Sequence, residues 1–272
     1  MSKVLILGKG YIGQELHRAL GWPIVSMRIH TFKDIFDIIK KHKPKVLINC
    51  IGHTGAHNVD DCERALDRTL QANTFVPILL AEAALRNNIK FVHLSSGCIY
   101  HYDYENQKPI TEEEVPDFYD LYYSRSKIYT DSVLAELAKR YNILILRIRV
   151  PLSPKPHPRN ILTKLIKYKT VIDIPNSVTY IPDFIHNLEH LLKINAKGIY
   201  NVVCQGGLRY PEILDVYKKY VSNFAYTKIP LKNLKLIRTN LVLSTRKLAK
   251  TGARVRNVKD VIQECVKNYV KS

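Results

Sequence analysis

Acidic residues are scarce in this 272-residue chain: 24 Asp and Glu stand against 42 Lys and Arg, for a formal charge of +18. No apolar run approaches the ~20 residues that a membrane span needs; stretches such as 46–51 and 143–146 are far shorter, so no membrane partner is expected. The opening MSKVLILGKG lacks the cationic region, long apolar region and small-residue cleavage site of a secretory signal. A cytoplasmic location is the expectation. Five cysteines, Cys50, Cys62, Cys98, Cys204 and Cys265, are an odd set without Cys-x-x-Cys spacing, which argues against a disulfide framework and a zinc site. Internal repeats and low-complexity tracts are absent.

The charge is unevenly placed. Residues 1–150 hold 20 basic and 17 acidic side chains, whereas 151–272 hold 22 and 7. A surplus confined to the second part suits an anionic ligand such as a diphosphate, and equally a lysine-rich surface that serves solubility. The run Arg246, Lys247, Lys250, Arg254, Arg256 has no interleaved aromatics on which bases could stack. No nucleic-acid partner is expected.

What the first part does have is alternation of short apolar runs with helical patterns, the signature of β-α-β units on a parallel sheet. Strands are expected at 4–7, 24–27, 46–50, 91–95 and 143–149. Helices are expected at 12–20, at 32–41 with Phe32, Ile35, Phe36 and Ile39 in register, over a long stretch 62–88 interrupted by Pro77, and at 122–141. Residues 102–119 are acidic and turn-rich, as a surface loop would be. Pro151, Pro154, Pro156 and Pro158 then break the pattern. The expected fold is α/β: a Rossmann-like parallel sheet flanked by helices, with a smaller mixed C-terminal substrate lobe. The expected division is 1–150 for the Rossmann-like domain and 151–272 mainly for the smaller lobe, with some segments returning to the first domain.

Gly8-Lys9-Gly10-Tyr11-Ile12-Gly13 has the G-x-G-x-x-G spacing between a strand and a helix. The first glycine permits the tight turn, the second lets a pyrophosphate approach the backbone, and the third lets the helix pack against the strand, with helix N-terminal N–H groups facing the phosphates. An Asp or Glu about 20 residues on would bind the ribose 2′-hydroxyl of NAD. Arg28 stands there instead and could pair with a 2′-phosphate, which favours NADPH, NADH being possible; an ordinary exposed arginine is the alternative.

Tyr123 and Lys127 are four residues apart and share a face if the segment is helical. An ammonium beside a phenol favours the phenolate, which makes Tyr123 a usable proton donor near neutrality. Ser96, at a strand end, could give a second hydrogen bond to a substrate carbonyl. Glycine loop, strand-end serine, then Tyr-x-x-x-Lys is the order of the short-chain dehydrogenase/reductase family, and the sequence resembles its extended, sugar-nucleotide-modifying members.

Narrower motifs sharpen this. Asn49-Cys50-Ile51-Gly52-His53-Thr54-Gly55-Ala56-His57-Asn58-Val59-Asp60-Asp61-Cys62-Glu63, Ser96-Gly97-Cys98-Ile99-Tyr100, Tyr123-Ser124-Arg125-Ser126-Lys127, Pro158-Arg159-Asn160 with Thr163-Lys164, and Ile174-Pro175-Asn176-Ser177 resemble the bifunctional 3,5-epimerase/4-reductases that make nucleotide-activated L-rhamnose, including the C-terminal part of plant rhamnose synthases. The likeness runs over nearly the whole chain, with more distant similarity to dTDP-4-dehydrorhamnose reductase and GDP-fucose synthase. The glycine loop departs from the plant pattern, which has one more residue between the first two glycines.

The resemblance implies a nucleotide 4-keto-6-deoxyglucose substrate carrying UDP or dTDP, NADPH as cofactor, and a homodimer through the Tyr123-bearing helix and the long helix before it. It assigns Ser96, Tyr123 and Lys127 to the reduction, and Cys98 and Lys164 to proton exchange at C3 and C5, with His157 and Asn160 as rivals to Lys164. If the strand bearing Ser96 continues, period-2 geometry puts Cys98 on the same side. Gly8, Gly10, Tyr11, Ile12, Gly13, Arg28, Ile51, Gly52, Asn73, Tyr123 and Lys127 would meet the cofactor. Thr54, Gly55, Cys98, Arg159 and Asn160 would meet the substrate. A reductase dependent on a separate epimerase, and a non-catalytic NADP-binding regulatory protein of the same fold, are the alternatives.

Overall fold

The computed structural model describes residues 3–230, 233 and 239–272. Its backbone divides into two compact units. The first comprises Met1–Ile99, Pro116–Arg147 and Ile194–Tyr200; the second comprises Tyr100–Val115, Ile148–Lys193 and Asn201–Ser272. Both are thus discontinuous in sequence.

Short strands with buried apolar centres form the middle of the first unit's sheet, as expected where a sheet is covered on both faces, while the edge strand Ile24–Val25 is only partly buried. In order come β1 (Val4–Leu7), α1 (Tyr11–Leu20), β2 (Ile24–Val25), α2 (Phe32–His42), β3 (Val46–Asn49), α3 (Leu66–Leu70), α4 (Val76–Arg86), β4 (Lys90–Ser96), α5 (Tyr122–Ala138) and β5 (Ile143–Ile148). The sheet is ordered β2, β1, β3, β4, β5, then the strand Gly198–Asn201; β1 pairs parallel with β2 and β3, and β3 with β4. From β1 the chain moves outward to β2 and then crosses back to β3. That reversal makes the C-terminal ends of β1 and β3 the crevice where open α/β sheets take ligands.

Three expectations are corrected. Phe32 and Phe36 do not join the core stripe of α2: Ile35, Ile38 and Ile39 form its centre, while the phenylalanines flank it, partly exposed and stacked with centroids 6.0 Å apart. Pro77 does not interrupt a helix in the way predicted. A 3-10 segment (Val59–Arg64), α3, a π turn (Gln71–Phe75) and α4 follow in succession, with Pro77 in the first turn of α4 where its missing N–H is tolerated. The acidic stretch 102–119 is more than a surface loop, because Ile110 and Glu112 are buried and the Glu112 carboxylate accepts the Asn201 N–H at 2.9 Å.

The second unit has its own core, including Leu162, Leu165, Val178, Tyr180, Leu214, Val261 and Cys265. Helices Ile181–Lys193, Tyr210–Lys218 and Val258–Tyr269 and short two-stranded pairings surround it. Among the described residues no helix is long and apolar enough to cross a membrane.

Candidate active site

The glycine loop lies at the crevice between β1 and β3. Gly8 has φ +104°, and a Cβ there would stand 2.7 Å from the Cys50 carbonyl carbon and the Ile51 nitrogen. At Gly13 a Cβ would overlap the Gly8 carbonyl oxygen, whereas at Gly10 it would meet nothing within 4 Å. Two glycines therefore let backbone pack on backbone, and the third leaves open space at the N-terminus of α1. A cleft of about 790 Å³ runs along this loop. Its walls include Gly8, Gly10, Ile51, Gly52 and Arg28, all anticipated, together with Lys9, His30 and Arg68, which were not. Tyr11, Ile12 and Gly13 stand in the first turn of α1 and do not line it.

Beyond Ile51 the β3 loop turns toward α5. A Cβ on Gly52 would lie 3.4 Å from Asn73 Oδ1 and 3.6 Å from Lys127 Nζ, so the loop passes directly over Lys127. The Asn73 side chain, expected at the cofactor, is engaged by the protein. Its Oδ1 accepts the His53 N–H at 2.8 Å, and its Nδ2 donates to the His53 carbonyl and to Ser126 Oγ, both at 3.0 Å. Pro77 cannot offer the N–H that would meet the Asn73 carbonyl four residues back, and Thr130 Oγ1 of α5 donates to it instead at 2.5 Å. Asn73 is thus a buried strut joining the π turn, the β3 loop and α5. His53, half-buried on the cleft wall, has Nδ1 2.9 Å from Thr69 Oγ1 and 3.7 Å from Cys62 Sγ.

Tyr123, Lys127 and Asp131 follow one another at i, i+4 and i+8 on α5, and all three are buried. Asp131 accepts from Ser95 Oγ at 2.6 Å and pairs with the equally buried Arg147 of β5. This locks the helix face against β4 and β5. The N-terminus of α5 is held by Glu63, whose carboxylate accepts the Tyr122 N–H at 2.6 Å. Burial pulls Lys127 down to about 8, opposed by Asp131 and by the thiols of Cys62 and Cys98; Lys127 Nζ lies 3.5 Å from the Leu94 carbonyl.

Strand β4 ends at Ser96, so the period-2 argument for Cys98 does not apply. A bend at Gly97 and a turn at Cys98-Ile99 follow instead, and there the Cys98 backbone N–H donates to Ser96 Oγ at 3.0 Å. Because that hydroxyl accepts here, its own proton is available to a carbonyl oxygen. Thr54 is half-buried, but Gly55, expected at the sugar, is buried with φ +72°. A Cβ there would overlap the Asn58 carbonyl oxygen, so its requirement is the turn itself.

In the second unit, Asn160 is fully buried and its amide is saturated. Oδ1 caps α6 (Ile161–Leu165) by accepting the Leu162 N–H and also accepts the Ser153 N–H, both at 3.2 Å; Nδ2 donates to the Ser153 and Lys155 carbonyls at 2.8 and 2.9 Å. It organises the proline loop and has no donor left for a diphosphate. Arg159 donates its backbone N–H to His157 Nδ1 at 3.0 Å, and its charge adds to burial in lowering the pKa of Lys164 on α6. Sequence reasoning missed Glu63 and Asp131. The i+8 spacing from Tyr123 was the available signal for Asp131, and the quoted Cys62-Glu63 motif contained the other.

The chain matches the NAD dependent epimerase/dehydratase family over residues 4–190. It belongs to that family. A bifunctional dTDP-4-dehydrorhamnose 3,5-epimerase/dTDP-4-dehydrorhamnose reductase of Arabidopsis thaliana is 31% identical over 275 residues, covering 94% of this chain and 89% of the plant protein. A trifunctional UDP-glucose 4,6-dehydratase/UDP-4-keto-6-deoxy-D-glucose 3,5-epimerase/UDP-4-keto-L-rhamnose-reductase of the same plant is 29% identical over 281 residues. That match covers 97% of this chain, which spans only 42% of the plant protein. Among solved structures, the L780 UDP-rhamnose synthase from Acanthamoeba polyphaga mimivirus superposes with a TM-score of 0.90 at 27% identity, over 98% of this chain and 99% of that one.

Proposed function

We propose that this chain carries out 3,5-epimerisation and NADPH-dependent 4-keto reduction of a nucleotide 4-keto-6-deoxyglucose, giving a nucleotide L-rhamnose. One observation carries the reading. A cysteine is hydrogen-bonded through its backbone to the serine that would face the carbonyl, on the same frame as Tyr123 and Lys127. Reduction alone does not need that thiol.

The residues present suit a dinucleotide. The open space at Gly10 would admit a pyrophosphate, and Arg28 and Arg68 on the cleft wall suit a 2′-phosphate, with no carboxylate at the end of β2 to oppose it. Bound NADPH supplies the hydride. Protons at C3 and C5 of the sugar are acidified by the C4 carbonyl; Cys98 and Lys164 remove and return them through an enolate. Tyr123 then protonates the C4 oxygen while Ser96 donates a hydrogen bond to it. The Lys127 ammonium, present at neutral pH and lost as pH rises through about 8, stabilises the charge that develops there. Arg159 serves the diphosphate.

A homodimer is part of this proposal. Leu66 on α3, Phe75 in the π turn, and Tyr129 and Val133 on α5 are exposed at 49, 51, 44 and 40%, an apolar set that an isologous contact would cover.

Cys98→Ser tests the assignment. A hydroxyl is a far weaker acid than a thiol, so solvent deuterium incorporation at C3 and C5 should slow strongly, while a substrate epimerised beforehand is still reduced. Wild-type exchange at both carbons in this variant would leave the thiol structural and assign the proton transfers to other groups, whereas no exchange by the unmutated chain would favour a reductase that relies on another epimerase.

A further inference from the structure

Outside the reacting groups, the first unit buries an imidazole within its sheet, His93 of β4. Its register partner on β3 is Asn49, the last residue before the cleft-lining Cys50, Ile51 and Gly52. Both side chains are wholly buried. Asn49 Oδ1 accepts the Ile51 N–H at 3.0 Å, and Asn49 Nδ2 lies 3.0 Å from His93 Nδ1.

These two contacts determine the chemistry of the ring. A flipped Asn49 amide would set N–H against the N–H of Ile51, so Oδ1 must face Ile51 and Nδ2 must donate to His93. Nδ1 is then a bare acceptor, and the neutral ring carries its proton on Nε2. Nε2 is buried and has no hydrogen-bond partner among the described residues. A phenylalanine would fill the slot, stack on Phe91 as the imidazole does at 6.3 Å and 20°, and leave no orphaned donor. What the imidazole alone supplies is the Nδ1 acceptor. Burial, and then the charge of Lys127, hold its pKa well below the usual histidine value, so the acceptor persists at neutral pH.

We propose that His93 is a positioning residue for the dinucleotide: its neutral Nε2–H tautomer holds Asn49, and Asn49 holds the cleft wall at Ile51. The proposal rests on the reading that this cleft takes the cofactor. It gives residues 51–53 two buried struts, Asn49 at the Ile51 N–H and Asn73 at both backbone groups of His53. The cleft wall is pinned before any ligand arrives, which lowers the ordering cost of binding.

The test uses the whole chain and three readouts. Ring 15N shifts of His93 should show a protonated Nε2 and a bare Nδ1, unchanged between about pH 6 and pH 8. In His93→Phe the Ile51 amide should exchange with solvent about fivefold faster and NADPH, titrated by its fluorescence, should bind about 3- to 10-fold more weakly, with the Leu47 amide within the strand unaffected. His93→Gln, which restores an acceptor, should recover part of both losses. A protonated Nδ1 in the wild type, or unchanged NADPH affinity in His93→Phe, would overturn the proposal, as would equal loosening of Leu47 and Ile51. A wild-type chain that binds no dinucleotide would remove the cofactor reading instead, and Ile51 exchange alone would then decide the relay.

Discussion

Between Gly8 and Gly13 the chain clears side chains away, whereas between Ser153 and Asn160 it engages them. In the first loop Gly8 and Gly13 pack backbone on backbone and Gly10 leaves open space at a helix N-terminus. In the second, Asn160 turns inward and makes three hydrogen bonds to its own loop and a fourth to the helix it caps. Both loops were expected to meet ligand, but only the first has the means in its backbone. A glycine at a close contact has one physical explanation. An asparagine has two, because an amide that can bind a phosphate or a sugar can equally satisfy a turn.

Substitutions can break this contrast. The largest effect should come from Gly13→Ala, whose Cβ overlaps the Gly8 carbonyl; denaturant unfolding should show a loss of about 3 kcal/mol. A loss below about 1 kcal/mol would mean that the loop yields easily and that its packing does not dictate the glycine. Next, Asn160→Ala should cost about 2 kcal/mol, from a lost helix cap and two carbonyls left without their donor, with NADPH affinity unchanged. Were stability kept and only the sugar-nucleotide KM raised, Asn160 would be a ligand group and the contrast would fail. The smallest structural effect belongs to Gly10→Ala. Stability should move by less than about 0.5 kcal/mol, yet calorimetric titration should show NADPH binding about tenfold weaker, because the added methyl occupies the space left for the pyrophosphate. Unchanged affinity would place the phosphates elsewhere.

The contrast also explains what could be read from the sequence. Five of the six strands of the first unit's sheet were legible because each has a short apolar stretch bounded by turn residues, and β1 was located to the residue, whereas the edge strand Gly198–Asn201 was not foreseen. The helix-borne site of that unit was legible only in part. Buried faces of α5 carry Ser126, Lys127, Thr130 and Asp131, so hydrophobic periodicity is faint there, and the partners that fix the helix, Glu63 and Arg147, are far away in sequence. The protein contacts of Asn73 were not legible, since they depend on a π turn and on a carbonyl freed by Pro77. Cys98 and Ser96 were expected together by strand alternation, and instead the Cys98 backbone N–H reaches Ser96 Oγ beyond the strand end. The second unit resisted reading because its strands are two or three residues long, too short for any period to show.

The central claim is that one chain both epimerises and reduces. The direct measurement is incubation of the purified protein with UDP- or dTDP-4-keto-6-deoxyglucose and NADPH in heavy water, followed by NMR of the product. The account predicts NADPH oxidation and an L-rhamno product carrying solvent deuterium at both C3 and C5. A reduced product without deuterium at these carbons, or no oxidation of NADPH, would contradict it.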